Sequence, residues 1–287
     1  MPKHFLIALG LGLSVLTPSA AHASSCEDYA VDVRQTSGST YDPASMAGIV
    51  VNVAITAVDA NLANGCTSVP IRIEPQAGGI FSFSMTGDTL NYSVQNSNQV
   101  GARSASQVVL NGNARNTIVS GGLASIPLFG FQAGQFVRAG RYIAPINVTV
   151  GDGPPLSYEL EIDVEPSIRF VAENGAREKT LSFGEVTNGS ERSTAIFYRT
   201  NAAFQLRATS QNHGTLLHEG GPQFGTIAYQ ATYDGAPIDL KSGLAVLNRT
   251  YPGASVQSDV LWIGIQPQRD KYAGKYRDVL TLEFIPF

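Results

Sequence analysis

Three observations in the sequence predict an all-β chain made of two related domains. A 17-residue segment occurs twice without a gap, 134 residues apart, as IPLFGFQAGQFVRAGRY at 126–142 and VLWIGIQPQRDKYAGKY at 260–276. Each copy leads into a run with an apolar residue at most alternate positions, which places those side chains on one face of a β-strand. Short stretches rich in β-branched and aromatic residues are separated by Gly, Pro and Asn-Gly along the chain, as is typical of β-sheet proteins.

The repeat has the length of a domain and leads into the same strand twice. A period of 134 residues is too long for a solenoid unit and fits a tandem of domains. The identical positions are Gly130 with Gly264, Gln132 with Gln266, Ala139-Gly140 with Ala273-Gly274, and Tyr142 with Tyr276. The alternating runs are Tyr142, Ala144, Ile146, Val148 and Val150 in the first copy, and Tyr276, Asp278, Leu280, Leu282 and Phe284 in the second. We therefore expect a strand with one largely apolar face at both places.

The other strand signals predict immunoglobulin-like sandwiches. Segments bounded by turn residues predict strands at Tyr29–Arg34, Ile49–Val58, Val69–Ile73, Ile80–Met85, Leu90–Val94, Gln107–Leu110, Ser157–Val164, Phe204–Thr209, Thr226–Tyr233, Val260–Ile265 and Val279–Ile285. Beyond the N-terminal region, no stretch of ten or more residues has a convincing helical stripe. Many short strands with turns between them are the pattern of a β-sandwich. The domain boundary is expected near Glu165-Pro166, which gives domains at 24–165 and 166–287.

The first 23 residues have the organisation of an export signal. A positively charged start and the apolar stretch Phe5 to Leu16 precede the small-x-small site Ala21-His22-Ala23. We predict cleavage before Ser24 and a secreted mature protein. A lipoprotein attached through Cys26 is the alternative, although the residues before it lack the leucine that a lipobox usually carries. No later segment approaches the roughly 18 uncharged apolar residues that span a bilayer as a helix.

The two cysteines of the chain, Cys26 and Cys66, both lie in the first predicted domain. An oxidising compartment favours a disulfide between them. Closing a loop of this length stabilises a fold by roughly 4 kcal/mol in the chain-entropy model. A two-cysteine metal site is the competing interpretation, but no histidine of the predicted mature chain is near either cysteine in sequence. We therefore expect a structural disulfide and no metal.

The charge of the chain is distributed unequally between its two predicted domains. Residues 24–165 hold 6 Arg, no Lys and 12 Asp and Glu, a net charge of −6, whereas residues 166–287 hold 12 Lys and Arg and 11 Asp and Glu, a net charge of +1. Nucleic acids and anionic lipids are bound through basic patches. An acidic first domain without lysine argues against both partners, and the asymmetry suggests different tasks for the two domains.

The sequence offers little support for catalysis or for a cofactor. After removal of the signal, the histidines are His213 and His218, whose spacing suits neither a metalloprotease helix nor a pair on one strand face. We expect both to be exposed loop residues. No Gly-x-Ser-x-Gly elbow, phosphate-binding loop or calcium-binding loop occurs in the mature chain. A glycosidase-type pair of carboxylates is the remaining enzymatic alternative, because such pairs meet only in the fold.

The motifs around the repeat resemble a known family. In domain two they are Leu181-Ser182-Phe183-Gly184, Ile227-Ala228-Tyr229, Trp262-Ile263-Gly264-Ile265 and Ala273-Gly274-Lys275-Tyr276-Arg277-Asp278, followed by an alternating strand. This order resembles the spore coat protein U-type domain, which builds subunits of archaic chaperone–usher pili. Domain one departs further from that pattern, since Ala144 replaces the aspartate and no Leu-x-Phe-Gly element is present. The resemblance covers about half of each domain.

The resemblance implies that domain two lacks its final strand. Pilus subunits of this kind leave a hydrophobic groove that a periplasmic chaperone fills first and a strand of the neighbouring pilin fills afterwards. The groove is expected along Tyr276, Leu280, Leu282 and Phe284, with an outer-membrane usher as a further partner. In domain one the alternating segment 157–164 follows a Gly-Pro turn and can supply the strand that domain two lacks. The resemblance also implies passage through the periplasm to the cell surface.

The N-terminal region suggests the position within a fibre. Only Ser24-Ser25 precede Cys26 in the predicted mature chain, so no donor segment is expected there. A subunit that accepts a strand and gives none resembles a tip adhesin, which mediates attachment or biofilm formation. Tyr41, Pro43 and Met46 are the candidates for contact with an unknown surface, whereas the polar loop Gln95–Ser106 suits a glycan. The alternative is a free-standing coat or carbohydrate-binding β-sandwich protein.

Overall fold

The structure, a computed structural model of the 287-residue chain, describes residues 30–58, 69–171 and 178–287. The predicted signal peptide, Cys26 and Cys66 lie outside the described residues. The export signal and the disulfide therefore stay predictions.

The described residues form 22 strands, one short α-helix and one 3-10 turn. The elements up to residue 164 are β1 (Val31–Ser37), β2 (Thr40–Tyr41), β3 (Ile49–Ala57), β4 (Ile71–Pro75), β5 (Phe83–Met85), β6 (Asp88–Leu90), β7 (Ser93–Val94), β8 (Val100–Arg103), β9 (Val108–Leu110), α1 (Gly112–Val119), β10 (Ala124–Phe131), β11 (Gly140–Val150) and β12 (Leu156–Val164). The later elements are β13 (Ile168–Phe170), β14 (Ser190–Thr200), β15 (Phe204–Ser210), β16 (Thr215–His218), the 3-10 turn Pro222–Phe224, β17 (Thr226–Tyr233), β18 (Ala236–Ile238), β19 (Ala245–Arg249), β20 (Gln257–Ile265), β21 (Tyr276–Arg277) and β22 (Leu280–Pro286).

Two sheets pack into a first sandwich at residues 30–164. One sheet has the strand order β1-β3-β10-β7, and the other has the order β2-β12-β11-β4-β9-β8 with β5 and β6 attached. Apolar side chains from both sheets interdigitate in one core, which includes Val53, Ile73, Phe83, Ile126 and Ile146. The prediction of an all-β sandwich is thus confirmed.

A second sandwich occupies residues 168–287 and has its own core. Its larger sheet has the order β13-β14-β20-β17-β16-β21 with β18 attached, and its smaller sheet has the order β19-β15-β22. The core includes Tyr198, Phe204, Leu206 and Tyr233. Within the described residues no strand ladder joins the two sandwiches. The expected boundary at Glu165-Pro166 lies between β12 and β13, and the division into two independently folding domains stays a prediction.

The internal repeat corresponds to the same strands in both sandwiches. β10 pairs with β3 just as β20 pairs with β14, and β11 pairs with β4 just as β22 pairs with β15. The predicted strand Thr226–Tyr233 is confirmed as β17 at the same bounds, and the alternating face of β11 is buried from Tyr142 to Val150. The single strand expected from Tyr276 to Phe284 is interrupted at Asp278 and Val279, and the helix α1 was not predicted.

Each repeat copy contains the same hydrogen bond from its tyrosine. The Tyr142 hydroxyl donates to the Arg138 carbonyl at 2.9 Å, and the Tyr276 hydroxyl donates to the Tyr272 carbonyl at 2.9 Å. A tyrosine near the start of strand F that bonds back to the backbone a few residues upstream is the tyrosine corner of immunoglobulin-like sandwiches. Both sandwiches are therefore immunoglobulin-like, and β11 and β21–β22 are their F strands.

The glycine two residues before each tyrosine is required by its backbone and by a close neighbour. Gly140 and Gly274 have φ of 136° and 152°, a region that residues with a side chain rarely adopt. A Cβ atom on Gly140 would lie 2.6 Å from the Met85 sulfur, and one on Gly274 would clash with the His218 ring. The repeated Ala-Gly-x-Tyr motif thus encodes one turn in both sandwiches.

Replacing the first tyrosine tests the role of this corner in stability. Tyr142 is fully buried, so Tyr142→Phe removes one buried hydrogen bond and is expected to lower the free energy of unfolding by about 1 kcal/mol. Tyr276 is only half-buried, and Tyr276→Phe should cost less. Urea unfolding of both variants checks this order, and an equal or reversed cost would contradict it.

The same substitution has a pH signature. Burial, with smaller contributions from Asp88 and Tyr251, raises the pKa of Tyr142 to about 12. Its ordinary value in the unfolded chain is about 10, so the contribution of Tyr142 to stability is complete below pH 10 and is lost as the pH rises toward about 12. Tyr142→Phe should therefore reduce the slope of stability against pH in this window.

Candidate functional site

The first F strand, β11, has a strand partner on both edges. On one edge β4 pairs with it from Ile146 to Val150, and on the other edge β12 pairs with it antiparallel along nine residues, from Gly140 to Val148. The alternating residues Leu160, Ile162 and Val164 of β12 are buried in the core. The segment that was expected to supply an additional strand thus completes the first sandwich.

The second F strand, β22, has one strand partner among the residues that the structure describes. β15 pairs with it from Leu280 to Pro286, and in the described part of the chain no strand pairs with its other edge, where β12 lies in the first sandwich. Leu280, Leu282 and Phe284 point toward the core but stay half-buried. The corresponding side chains of β11, Ile146, Val148 and Val150, are buried.

An aromatic cluster lies beneath the unpaired edge of β22. The ring of Phe284 contacts Phe170 at 4.9 Å and Phe204 at 5.6 Å between ring centroids, and Tyr198 and Tyr233 lie at 6.0 Å. Phe170, on β13, is 49% exposed, and the neighbouring Val171 is 42% exposed. The site is therefore an apolar strip between β13 and β22, and along one side of it the backbone of β22 has no strand partner in the described part of the chain.

The break in the second F strand is organised by Asp278. Its carboxylate accepts hydrogen bonds from the Ser210 hydroxyl at 2.6 Å, the Tyr229 hydroxyl at 2.6 Å and the Asn212 backbone N–H at 3.0 Å. Burial, and secondarily the hydrogen bond to Asp278, raises the pKa of Tyr229 above its ordinary value. Ala144 occupies the corresponding position of β11, so this network is specific to the second sandwich and holds β21 and β22 against β15 and β17.

Three of the four predicted groove residues line the strip, and Tyr276 lies elsewhere. Leu280, Leu282 and Phe284 share one face of β22. Tyr276 lies on β21 at the end of the sandwich, next to His218 with 4.9 Å between the ring centroids. The prediction that both histidines are exposed loop residues is wrong for His218, which is buried on β16 because its ring packs between Tyr276 and the 3-10 turn. His213 lies in an exposed turn.

Two of the three residues proposed for receptor contact are not available to a receptor. Tyr41 and Pro43 are buried, so the prediction of an exposed apolar contact is wrong for both. The Tyr41 hydroxyl donates to the Gln132 carbonyl at 2.8 Å and accepts from the Gln135 N–H at 2.7 Å, which ties the segment to the loop after β10. Met46 is 85% exposed, and its role in binding stays a prediction.

The polar segment Gln95–Ser106, which the sequence suggests for a glycan, lies next to the loop at 76–80. A cavity of about 480 Å³ opens between the loops at 76–80 and 95–106, and it is lined by Ile80, Asn91, Tyr92, Val94, Arg103, Ser104 and Ala105. Arg103 donates to the Val94 carbonyl at 2.7 Å, and the Phe81 N–H donates to the Ala105 carbonyl at 2.9 Å. The second bond connects the two segments, a relation that sequence reasoning missed because the residues are far apart in the chain.

Two further properties bear on the kind of site. Among the described residues, no cluster of three or more His, Cys, Asp or Glu side chains has an arrangement that could hold a metal ion. In the same part of the chain, no helix has the length and apolar character needed to cross a membrane.

No protein-family model matches the chain, and no curated protein sequence matches it. Similar solved structures include the CsuC–CsuE chaperone–tip adhesion subunit pre-assembly complex from the archaic chaperone-usher Csu pili of Acinetobacter baumannii, at 15% identity and a TM-score of 0.42 over 88% of this chain and 100% of that chain.

Two others are the CupB6 tip adhesin from Pseudomonas aeruginosa, at 11% identity and a TM-score of 0.30 over 89% of this chain and 95% of that chain, and the secreted serine protease VesC from Vibrio cholerae, at 10% identity and a TM-score of 0.25 over 89% of this chain and 51% of that chain. Because these TM-scores lie below 0.5, the fold is assigned here from strand topology and the tyrosine corners, and the resemblance to the spore coat protein U-type domain stays a prediction.

Removing the Asp278 carboxylate tests the network at the break. Asp278→Ala leaves the Tyr229 and Ser210 hydroxyls and a backbone N–H without their acceptor, and we expect the free energy of unfolding to fall by about 1–3 kcal/mol. Asp270→Ala is the matched control, because Asp270 is exposed in the neighbouring loop and should change stability by no more than about 0.5 kcal/mol. Equal effects of the two substitutions in urea unfolding would contradict the assigned role.

Proposed function

We propose that the chain is a subunit of a chaperone–usher pilus whose second sandwich accepts a β-strand from a neighbouring subunit. The observation that carries the proposal is the difference between two equivalent strands of one chain. β11 is covered on its outer edge by β12, whereas the same edge of β22 has no strand partner among the described residues. Strand addition to an exposed sheet edge satisfies the backbone groups, and alternate side chains fill the apolar strip.

The first sandwich supplies a template for the strand that the second accepts. In β12, Leu160, Ile162 and Val164 point into the core, and Glu159 and Glu161 alternate with them on the other face. A donor with this alternation would place apolar side chains over Leu280, Leu282 and Phe284. Until it arrives, the strip is an exposed apolar edge, which is an aggregation hazard. A periplasmic chaperone that covers β22 is therefore part of the proposal.

We propose a tip adhesin, delivered through an outer-membrane usher to the cell surface, that attaches through the first sandwich. The exposed Met46 and the cavity beside Tyr92 and Arg103 are the two places where a receptor would bind. A free-standing β-sandwich protein is the alternative, and it requires that the second sandwich be stable without an added strand.

Supplying the strand covalently tests the proposal on the full chain. We would add a flexible Gly-Ser linker and a copy of residues 156–165 after Phe287, and compare thermal unfolding and periplasmic solubility with the unmodified chain. The added strand should raise the melting temperature and reduce aggregation, because it pairs with β22 and covers the aromatic cluster. The matched control carries the same strand with glutamate at the positions of Leu160 and Ile162, and should give no gain.

Two results would contradict strand acceptance. One is a cooperative, aggregation-free unfolding of the unmodified chain that the added strand leaves unchanged. The other is an equal gain from the strand and from its glutamate control, which would show a non-specific effect of the extension.

The receptor hypothesis has a separate test. Met46→Glu should reduce retention of the purified chain on an apolar surface, because it places a charge at an exposed large apolar side chain. Ala44→Glu, at an exposed neighbouring position, is the control for added charge. Unchanged retention of Met46→Glu would remove Met46 from the proposed contact.

A further inference from the structure

We infer that the loop of residues 266–273 in the second sandwich is a contact surface for the base of the incoming subunit, in addition to the strand groove. This inference rests on the proposed function. It is drawn from the matching loop of the first sandwich, residues 132–139, which already contacts a following sandwich within this chain. The repeat aligns the two loops residue by residue.

The loop of the first sandwich binds the second sandwich through three contacts. The Ala139 N–H donates to the Asn201 carbonyl at 2.8 Å. The guanidinium of Arg199 lies 5.1 Å from the centre of the Phe136 ring. The guanidinium of Arg138 lies 5.5 Å from the centre of the Tyr251 ring. The first of these contacts needs only backbone at both positions, so a different partner sequence can reproduce it.

These contacts are coupled to the strand that completes the first sandwich. β12 ends at Val164, and the chain runs directly into β13 at Ile168. Asn201, which is fully buried, fastens this short connection: its side chain accepts from the Ser167 N–H at 2.6 Å and donates to the Glu165 carbonyl at 2.9 Å. A sandwich that follows such a strand is therefore held close to the loop of the sandwich that receives the strand.

The corresponding loop of the second sandwich is largely exposed. By alignment, Tyr272 stands in place of Arg138, Asp270 in place of Phe136, and Ala273 in place of Ala139. Tyr272 is held by the hydroxyl of Tyr276 at its carbonyl and by the ring of Phe224 at 5.6 Å, yet it is 64% exposed. The Ala273 N–H has no acceptor among the described residues. This N–H thus stands at the sequence position that the first sandwich uses for its backbone contact.

The partner that fits this surface is the base of a subunit whose N-terminal strand enters the groove. The base of that subunit must present a backbone carbonyl to the Ala273 N–H, as Asn201 does to Ala139. A basic side chain at the position of Arg199 would face Asp270, so that an ion pair replaces the contact between Arg199 and Phe136. The second sandwich of this chain meets both requirements and serves as the probe.

Amide hydrogen exchange on two extended chains tests the inference. The first is the full chain with a linker and a copy of residues 156–165 after Phe287. The second chain carries, after the first linker, a copy of residues 156–287, so that the added strand is followed by an added second sandwich. The same linker and strand then follow this copy. Both should protect the β22 amides, but only the second should slow exchange of the Ala273 amide toward the rate of Ala139, which is the internal reference.

The outcomes separate this inference from the proposed function. Protection of β22 in both chains without protection of Ala273 in the second would overturn the loop contact and leave strand acceptance standing. Exchange of β22 at the same rate with and without the added strand would overturn strand acceptance, and the loop contact with it.

A charge exchange supplies a second test. In the longer chain, Asp270→Arg in the original second sandwich should remove the protection of the original Ala273 amide. Arg199→Asp in the added copy should restore that protection. Asp270→Arg in the shorter chain should leave β22 protection unchanged. Failure of the second substitution to restore protection would contradict the predicted pairing.

Discussion

The outer edge of the F strand is the constraint on which the rest of the architecture depends. Backbone N–H and C=O groups beside an apolar core must be paired, and an unpaired edge invites another strand. In the first sandwich β12 meets this requirement along nine residues. In the second, no described strand does so. The half-buried state of Leu282 and Phe284 and the exposure of Phe170 follow from that difference, because a covering strand would remove all three from solvent.

The second sandwich has features that hold its F strand without a partner on that edge. Asp278 joins the break between β21 and β22 to Ser210 and Tyr229. Phe284 anchors β22 in a cluster of aromatic rings from β13, β14, β15 and β17. The first sandwich has Ala144 and Val150 at the corresponding positions and depends on β12 instead. Within the described residues, the first F strand is covered on both edges and the second on one, which makes the first sandwich an internal standard for the second.

The sequence located the strands of the repeat, but it did not predict every strand: β14, at Ser190–Thr200, was missed. It was insufficient for the contacts between distant segments. The repeat and the alternating runs located both F strands. The repeated Gly-x-Tyr spacing contained the two tyrosine corners, but the corners became recognisable only from the bond of each tyrosine to the residue four positions earlier. Tyr41 was expected to be exposed because its partners Gln132 and Gln135 are more than 90 residues away. The helix α1 was not predicted because it has eight residues and begins at an Asn-Gly pair, which usually marks a turn. In the structure the Asn111 side chain caps this helix.

The most direct measurement is amide hydrogen exchange of the unmodified full chain, titrated with a peptide of the β12 sequence, residues 156–165. The account predicts that β11 is protected from the start, that the outer-edge amides of β22 exchange rapidly, and that the peptide protects β22 alone. Protection of β22 equal to that of β11 before any peptide is added, or no response to the peptide, would contradict an open acceptor edge.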